Sequence, residues 1–458
     1  MNLSPTLFKT YRHEYAELTK LGFPVLLTQL GVILVSFADT MMVGAYGVNE
    51  LAAAAFVNSV FLIPMVMLMG LASGVTPLVG ALFAMKRGDD AGKTVRAALQ
   101  INSIAAVCFT LLMTGVFFIL DKFGQPYEIL PAARQYFITL LFTILPMSLF
   151  NVFTQTCNGV TDTRSPMWFV LLMVGVNILL NWLLIFGNCG FPELGLLGAG
   201  IATAVARIVG LAGICILFLC SRRYAPYKDG IFKPIAAGVL RRKVWNTSYP
   251  IMLQTGIECS LWSFGAVVCG WYGKIQLAAY QVVNTIGQLG FMTYMSFGVA
   301  VAVKVANYCG LGDERGAGRC ARAGLHLNFM LATLASLVFI LLNRHMLAWF
   351  TPDVGVIAAA VSFIPPLVLY QYADAAQLTL INAIRGTSQV RPLLWIALTG
   401  YVAVGVPVLL VFAEVLNWQS VGVYYSFCVA LLATSLYAYV VFRRTHIPPQ
   451  SPQLSQSA

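Results

Sequence analysis

The chain has 458 residues, 59% of them hydrophobic and only 10% charged, whereas soluble domains carry about 25% charged residues. So little charge excludes an ordinary soluble surface, and so much apolar content excludes a disordered chain. Twenty-eight Lys and Arg against 17 Asp and Glu give a net charge of +11. In a soluble protein that surplus points to nucleic acid, so the positions of the basic residues become decisive.

In chain order, a polar, amphipathic segment precedes Leu21 and lacks the short apolar core and small-residue cleavage site of a removable signal peptide. Twelve apolar stretches follow, each long enough for the roughly 20 residues that cross a bilayer. They are centred on 22–43, 51–84, 97–120, 134–157, 167–188, 195–219, 247–271, 276–306, 323–343, 356–382, 392–413 and 419–442. The second, eighth and tenth are long enough to tilt or to continue beyond the membrane.

With the N-terminus inside, 22 of the 28 basic residues fall in the N-terminal segment, five inner loops and the C-terminal tail, Arg385 and Arg391 among them after the tenth span. Lys122, Arg134, Lys274 and Arg344 fall in outer loops, while Arg207 and Lys304 lie inside spans. This is the positive-inside pattern. It predicts a multi-pass membrane protein with both termini cytoplasmic, the bilayer as its partner and nucleic acid as none. The ten cysteines are scattered without a CxxC pair, a pattern of small apolar fillers rather than of a disulfide framework or zinc site.

The chain repeats itself at an offset of 226 residues. LAAAAFVN (51–58) matches LAAYQVVN (277–284) at five of eight positions, and AGKTVRAAL (91–99) matches AGRCARAGL (317–325) at five of nine. Pro24 meets Pro250, Asn102 meets Asn328 and Pro166 meets Pro392. The predicted fold class is therefore an all-α polytopic membrane protein, with twelve transmembrane helices in two six-helix bundles. Six is even, so the bundles are related by a pseudo-two-fold along the membrane normal. The expected organisation is a cytoplasmic segment 1–20, an N-terminal bundle 21–219, a basic linker 220–246, a C-terminal bundle 247–442 and a cytoplasmic tail 443–458. Paired bundles of this kind place substrate at their interface, which favours a transporter over an enzyme.

Three acids lie inside spans, Asp39 in the first, Glu258 in the seventh and Asp374 in the tenth, where each costs about 2.5–3.5 kcal/mol to insert. Such residues mark ion or substrate pathways, or serve as hydrogen-bonded structural acids. Their repeat counterparts are Gly265, Val32 and Ser148, so the acids are not shared scaffold. Amides accompany them: Gln281, Asn284 and Gln288 share one helical face, as do Asn177 and Asn181, and Gln371 and Gln377 flank Asp374 at three-residue spacing. Oxygen-rich neighbours suit sodium, a desolvated carboxylate suits a proton, and interhelical hydrogen bonding accounts for the amides equally well. Arg207 is a candidate counter-charge to an acid or a backbone-paired structural residue, and Lys304 is expected to snorkel. Trp262, Tyr280 and Tyr294 are candidate cation–π contacts for an organic cation, or ordinary packing, and Asn284, Tyr370 and Gln371 join Trp262 and Tyr294 as candidate substrate contacts.

These pieces resemble the MATE (multidrug and toxin extrusion) transporters over residues 15–442. The resemblance is carried by Pro24 and Gln29 with ADTMMVG (38–44), LAAAAF (51–56), SGVTPLVG (73–80), NGVTDTRSP (158–166), GAGIAT (198–203) and INAIRGTSQVRP (381–392). It is closest to the NorM-like branch. The resemblance implies a V-shaped cavity opening alternately to each side, and export of cationic drugs from a bacterial cell across its inner membrane in exchange for sodium ions or protons. It implies no cofactor beyond that coupling ion and activity as a monomer. It places the coupling acids on Asp39, Glu258 and Asp374, an N-terminal sodium site on Asp39, Asn177, Asn181 and Thr203, a second possible sodium position at Glu258 and Asp374, and drug contacts on Gln281 and Asp353. Asp353, in TPD, also reads as a helix N-cap. The DinF-like branch carries Asp where Asn181 stands here, so one charge of that sodium site is missing.

A lipid-linked oligosaccharide flippase of the related superfamily is the alternative. It must hold a pyrophosphate among Arg and Lys, and three mid-membrane acids against one central base favour cationic cargo instead. The Gly-x3-Asp-x2-Gly-Arg-Arg loop of major-facilitator transporters is absent, and no HExxH, GxSxG or P-loop motif supports an enzyme.

Overall fold

The computed structural model describes residues 5–233, 238–350 and 353–445, and its regular elements there are all helical. In chain order these are α1 (Pro5–Tyr46), α2 (Val48–Ser73) continuing into α3 (Val75–Ala84), α4 (Gly88–Phe118), α5 (Leu130–Gly159), α6 (Arg164–Phe186) and α7 (Leu196–Cys220). A short α8 (Ala225–Phe232) precedes α9 (Val239–Trp271), α10 (Lys274–Leu311), α11 (Glu314–Phe350), α12 (Val354–Val361), α13 (Ile364–Gly386), α14 (Arg391–Ala397), α15 (Val406–Leu410) and α16 (Gln419–Arg444). Among the described residues eleven stretches are long and apolar enough to cross a bilayer, and α12 with α13, counted as one bent span, makes the twelfth.

Proline and glycine decide where the spans deviate from straight rods. The tenth is bent by 51° between α12 and α13. Pro365 and Pro366 stand in the first turn of α13, where a proline lacks the N–H that would continue the ladder and its ring opposes the carbonyl four residues back. The eleventh span contains two π-helical stretches, Leu398–Gly405 and Val411–Val415, on either side of Pro407 in α15. Gly74 joins α2 to α3, and a Cβ there would lie 2.7 Å from the Ser248 Cα. By contrast α1 runs unbroken through Pro24.

Large apolar side chains such as Phe142, Leu341 and Leu436 are 72%, 75% and 68% exposed. With water outside, that surface would be unstable. With acyl chains outside, it is the expected solvent-matched face, because the helices satisfy their own backbone groups.

The chain divides into two compact units. Among the described residues, one runs from Leu27 to Met252; the other joins those before Leu27 to those from Leu253 onward. The borders thus cut α1 and α9, and they stand 226 residues apart, the offset of the sequence repeat. In the first unit the core includes Phe61 against Phe137 at 4.8 Å and Phe153 against Phe218 at 5.0 Å. In the second, Tyr280, Tyr401, Tyr424 and Phe427 fill the centre.

The first part of the basic linker belongs to the first unit and is fastened there. α8 crosses α4 at glycines: a Cβ on Gly92 would sit 2.1 Å from the Tyr227 carbonyl oxygen, and one on Gly230 2.1 Å from that of Asp89. Arg96 donates to the carbonyls of Phe232 and Lys233, and Lys233 pairs with Asp89 at 2.8 Å. Backbone cannot yield as a side-chain tip can, so Gly92→Ala is expected to destabilise this unit by about 1–3 kcal/mol. The check is a lowered thermal midpoint in detergent.

Beside α8, the loop between α5 and α6 buries Asp162, which accepts from the Ser165 hydroxyl at 2.6 Å and the Tyr224 hydroxyl at 2.6 Å, with Arg223 at 3.4 Å. Burial alone raises this carboxyl, but the two hydroxyls and the guanidinium outweigh it and hold Asp162 below the usual carboxylate range. A depressed folded-state pKa gives stability that is complete above the unfolded value, near 4, and is lost as pH falls through the folded one. Asp162→Asn should therefore lower the thermal midpoint at neutral pH, and the gap to the parent protein should shrink as the melts are taken below about pH 4.

Candidate functional site

In the first unit, Asp39 on α1 is met by α6 and α7. Asn181 and Asn177 stand one turn apart on α6, and the Asn181 amide donates to the Asp39 carboxylate at 2.5 Å and to Asn177 Oδ1 at 3.3 Å. The Asn177 amide donates to Thr203 Oγ1 at 3.3 Å on α7, whose hydroxyl donates to the Ala199 carbonyl. The four residues expected to act together thus form one hydrogen-bonded chain. Arg207 lies one turn beyond Thr203 and donates to Thr143 Oγ1 at 2.6 Å on α5. Its guanidinium also interacts electrostatically with Asp39, without a direct ion pair among the described residues.

In the second unit, α9 carries Glu258 and α13 carries Asp374. The Gln254 amide, one turn before Glu258, donates to Glu258 Oε2 at 2.8 Å, and the Gln377 amide approaches Glu258 Oε1 at 3.4 Å. Gln377 also donates to the Tyr401 hydroxyl at 2.7 Å, which the first π-helical stretch carries to this point. Asp374 is buried, and neither of its oxygens completes a hydrogen bond among the described residues, Tyr370 being its near polar neighbour. The Gln377 side-chain oxygen is likewise buried without a partner there. Three uncommitted oxygens beside a second carboxylate are a donor set suited to a hard monovalent cation or a proton. Among the described residues no group of three His, Cys, Asp or Glu side chains is placed to hold a metal ion.

The other sequence candidates are distributed around this cluster. Gln371 accepts from the Tyr294 hydroxyl at 2.8 Å, and both are fully buried. Gly290 on α10 makes room for them, since a Cβ there would lie 2.2 Å from Gln371 Oε1. Trp262 and Tyr370 meet edge to face at 5.5 Å, and Tyr280 donates to the Trp262 carbonyl. Gln281 is exposed and Asn284 half-buried on α10. Asp353 caps α12, accepting from the backbone N–H groups of Gly355 and Val356. Lys304 pairs with Glu17 at 3.6 Å.

The topological count places Arg385 in the loop after the tenth span, whereas the helix itself contains it. It sits in α13, 7% exposed, and donates to Gln254 Oε1 at 2.6 Å. The signal was present: Asp374 and Arg385 are eleven residues apart, three helical turns, and so share a face. The proximity of Tyr401 had no such signal, because a π stretch shifts the register that spacing arguments assume.

A helical bilayer-spanning protein of two units, with carboxylates and amides gathered deep inside each, is a multi-pass membrane transporter. The family model MatE matches residues 24–183 and 250–411, and the chain belongs to that family. It is 28% identical over 397 residues to the probable multidrug resistance protein NorM of Geobacillus kaustophilus, covering 86% of this chain and 87% of that one. It is 26% identical over 454 residues to the protein of the same name from Brucella suis, covering 96% and 95%. Among solved structures, the eukaryotic MATE transporter AtDTX14 shares the fold with a TM-score of 0.86 at 17% identity, over 95% of this chain and 97% of that one.

Proposed function

We propose that this chain is a secondary active multidrug efflux antiporter, exporting organic cations and other amphiphilic drugs in exchange for sodium ions or protons by alternating access. The observation that carries the reading is Asp374, buried beside Glu258 with both oxygens uncommitted among the described residues. A desolvated carboxylate attracts a small cation and an organic cation alike, so the two compete, and competition for one charge is the logic of antiport. The sodium or proton gradient supplies the driving force, and the membrane potential adds to it only where the exchange carries net charge inward. One charge crossing 100 mV is worth about 2.3 kcal/mol, or roughly 50-fold accumulation. The names of the NorM relatives support drugs as cargo. Their bacterial sources support the inner membrane; the positive-inside pattern supports both termini in the cytoplasm, and the single chain is the working unit of this reading. Against a flippase stands the fact that both deep arginines, Arg207 and Arg385, are turned to protein groups.

Export of ethidium or norfloxacin from vesicles, under a sodium gradient and then under a pH gradient, tests the reading. Export driven by one of the two identifies the coupling ion, and export driven by neither overturns it. Asn at Asp39 and Asp374 and Gln at Glu258 belong in the same assay. Undiminished export in all three variants would refute the site.

A further inference from the structure

Each unit holds one deep arginine near one deep acid. In the first, Arg207 donates to Thr143 Oγ1 and feels the charge of Asp39 without a direct ion pair among the described residues. In the second, Arg385 reaches Glu258 through a single side chain: it donates to Gln254 Oε1 at 2.6 Å, while the Gln254 amide donates to Glu258 Oε2 at 2.8 Å. The amide is polarised in the favourable sense, its oxygen toward the cation and its N–H toward the anion, and turning it over would create two repulsive contacts. The only charged side chains that interact with Glu258 and Asp374 among the described residues are each other and Arg385. The remaining titratable neighbours are the phenols of Tyr370 and Tyr401, the Cys259 thiol beside Glu258, and Tyr294 and Tyr424 toward Asp374.

We propose that Arg385 is a tethered cation that neutralises Glu258 through Gln254, leaving Asp374 as the one uncompensated acid of this unit and limiting its demand to a single monovalent cation. Two carboxylates and one guanidinium leave one negative charge. Arg385 is thus a positioning residue that sets how tightly, and how many, coupling ions are held, without touching cargo. The inference rests on the reading of Glu258 and Asp374 as coupling acids.

The test titrates ethidium off the purified full-length protein with sodium chloride and, in sodium-free buffer, with protons. In Arg385→Gln both acids are uncompensated, so two small cations compete with one ethidium where one did before, and displacement is expected at concentrations lower by about tenfold, the low end for removing a nearby opposite charge. Arg385→Lys should restore the parent midpoint. A merely structural role predicts weaker binding, not tighter, so an unchanged or raised midpoint in a folded Arg385→Gln protein overturns the proposal. Should that variant fail to fold, Gln254→Leu severs the same relay and should move the midpoint in the same direction; no movement there overturns it. Asp374→Asn separates the two levels. Parent-like displacement in Asp374→Asn removes the coupling site and this inference together. Loss of displacement there, with Arg385→Gln unchanged, removes the inference alone.

Discussion

Asparagine in place of Asp374 is expected to cut ion-driven drug export by roughly a hundredfold while leaving the protein at least as stable as its parent. The loss follows from what Asp374 is: a buried carboxylate whose oxygens make no hydrogen bond among the described residues. Tyr370 is its near polar neighbour, and a bound cation draws on the carboxylate directly. At 1.4 kcal/mol per tenfold, forfeiting about 3 kcal/mol of charge interaction gives the stated loss. The stability follows from the same fact, because a buried, poorly satisfied charge costs several kcal/mol and a neutral amide of equal size removes that cost. Vesicle export and a thermal melt in sodium-free buffer check both halves. Sustained export, or a melt lowered by more than a few degrees, would contradict the expectation. A residue that weakens the fold and drives the function is the usual signature of an active position.

Asn181→Asp is expected to create a sodium-dependent stability in the first unit. In the parent, the Asn181 amide donates to Asp39 at 2.5 Å. The substitution replaces that N–H by a second carboxylate oxygen, and two carboxylates at such a separation cannot both ionise without a proton or cation between them. Arg207 offsets part of the repulsion. We expect a destabilisation of about 2 kcal/mol in sodium-free buffer at neutral pH. Sodium at a hundred times its dissociation constant would return about 2.7 kcal/mol by mass action. Measured in an Asp374→Asn background, where the second unit no longer responds, the thermal midpoint should rise with sodium chloride but not with choline chloride. No sodium-dependent rise would show that the missing charge at 181 is not what this site lacks.

Much of this was legible in the chain because the bilayer imposes strict rules on sequence. An acid inside an apolar stretch is conspicuous, and Asp39, Glu258 and Asp374 stood out on that ground alone. Asn177 and Asn181 could be placed on one face by spacing, and they do form one chain of bonds with Asp39. Arg385 escapes a count of charges by loop, which treats helix ends as boundaries, whereas α13 continues to Gly386. The aromatic candidates could be found but not sorted: Trp262, Tyr294 and Tyr370 have the composition of a cation cage, and in the structure they pack against, or donate to, other side chains of their own unit.

The sequence by itself determined the membrane class, the twelve spans, the repeat at 226 and the acidity of the interior, because these depend on local composition and period. Tertiary structure decided which groups compensate one another. Gln254 and Arg385 are 131 residues apart, and Gln377 and Tyr401 meet only through a π-helical stretch. Charge compensation falls off over a few ångströms in a dry interior, so it depends on helix register and packing, which no local pattern encodes. The chain announces three buried acids. Only the fold shows that Glu258 is linked to an arginine through Gln254, while Asp374 is buried beside Tyr370.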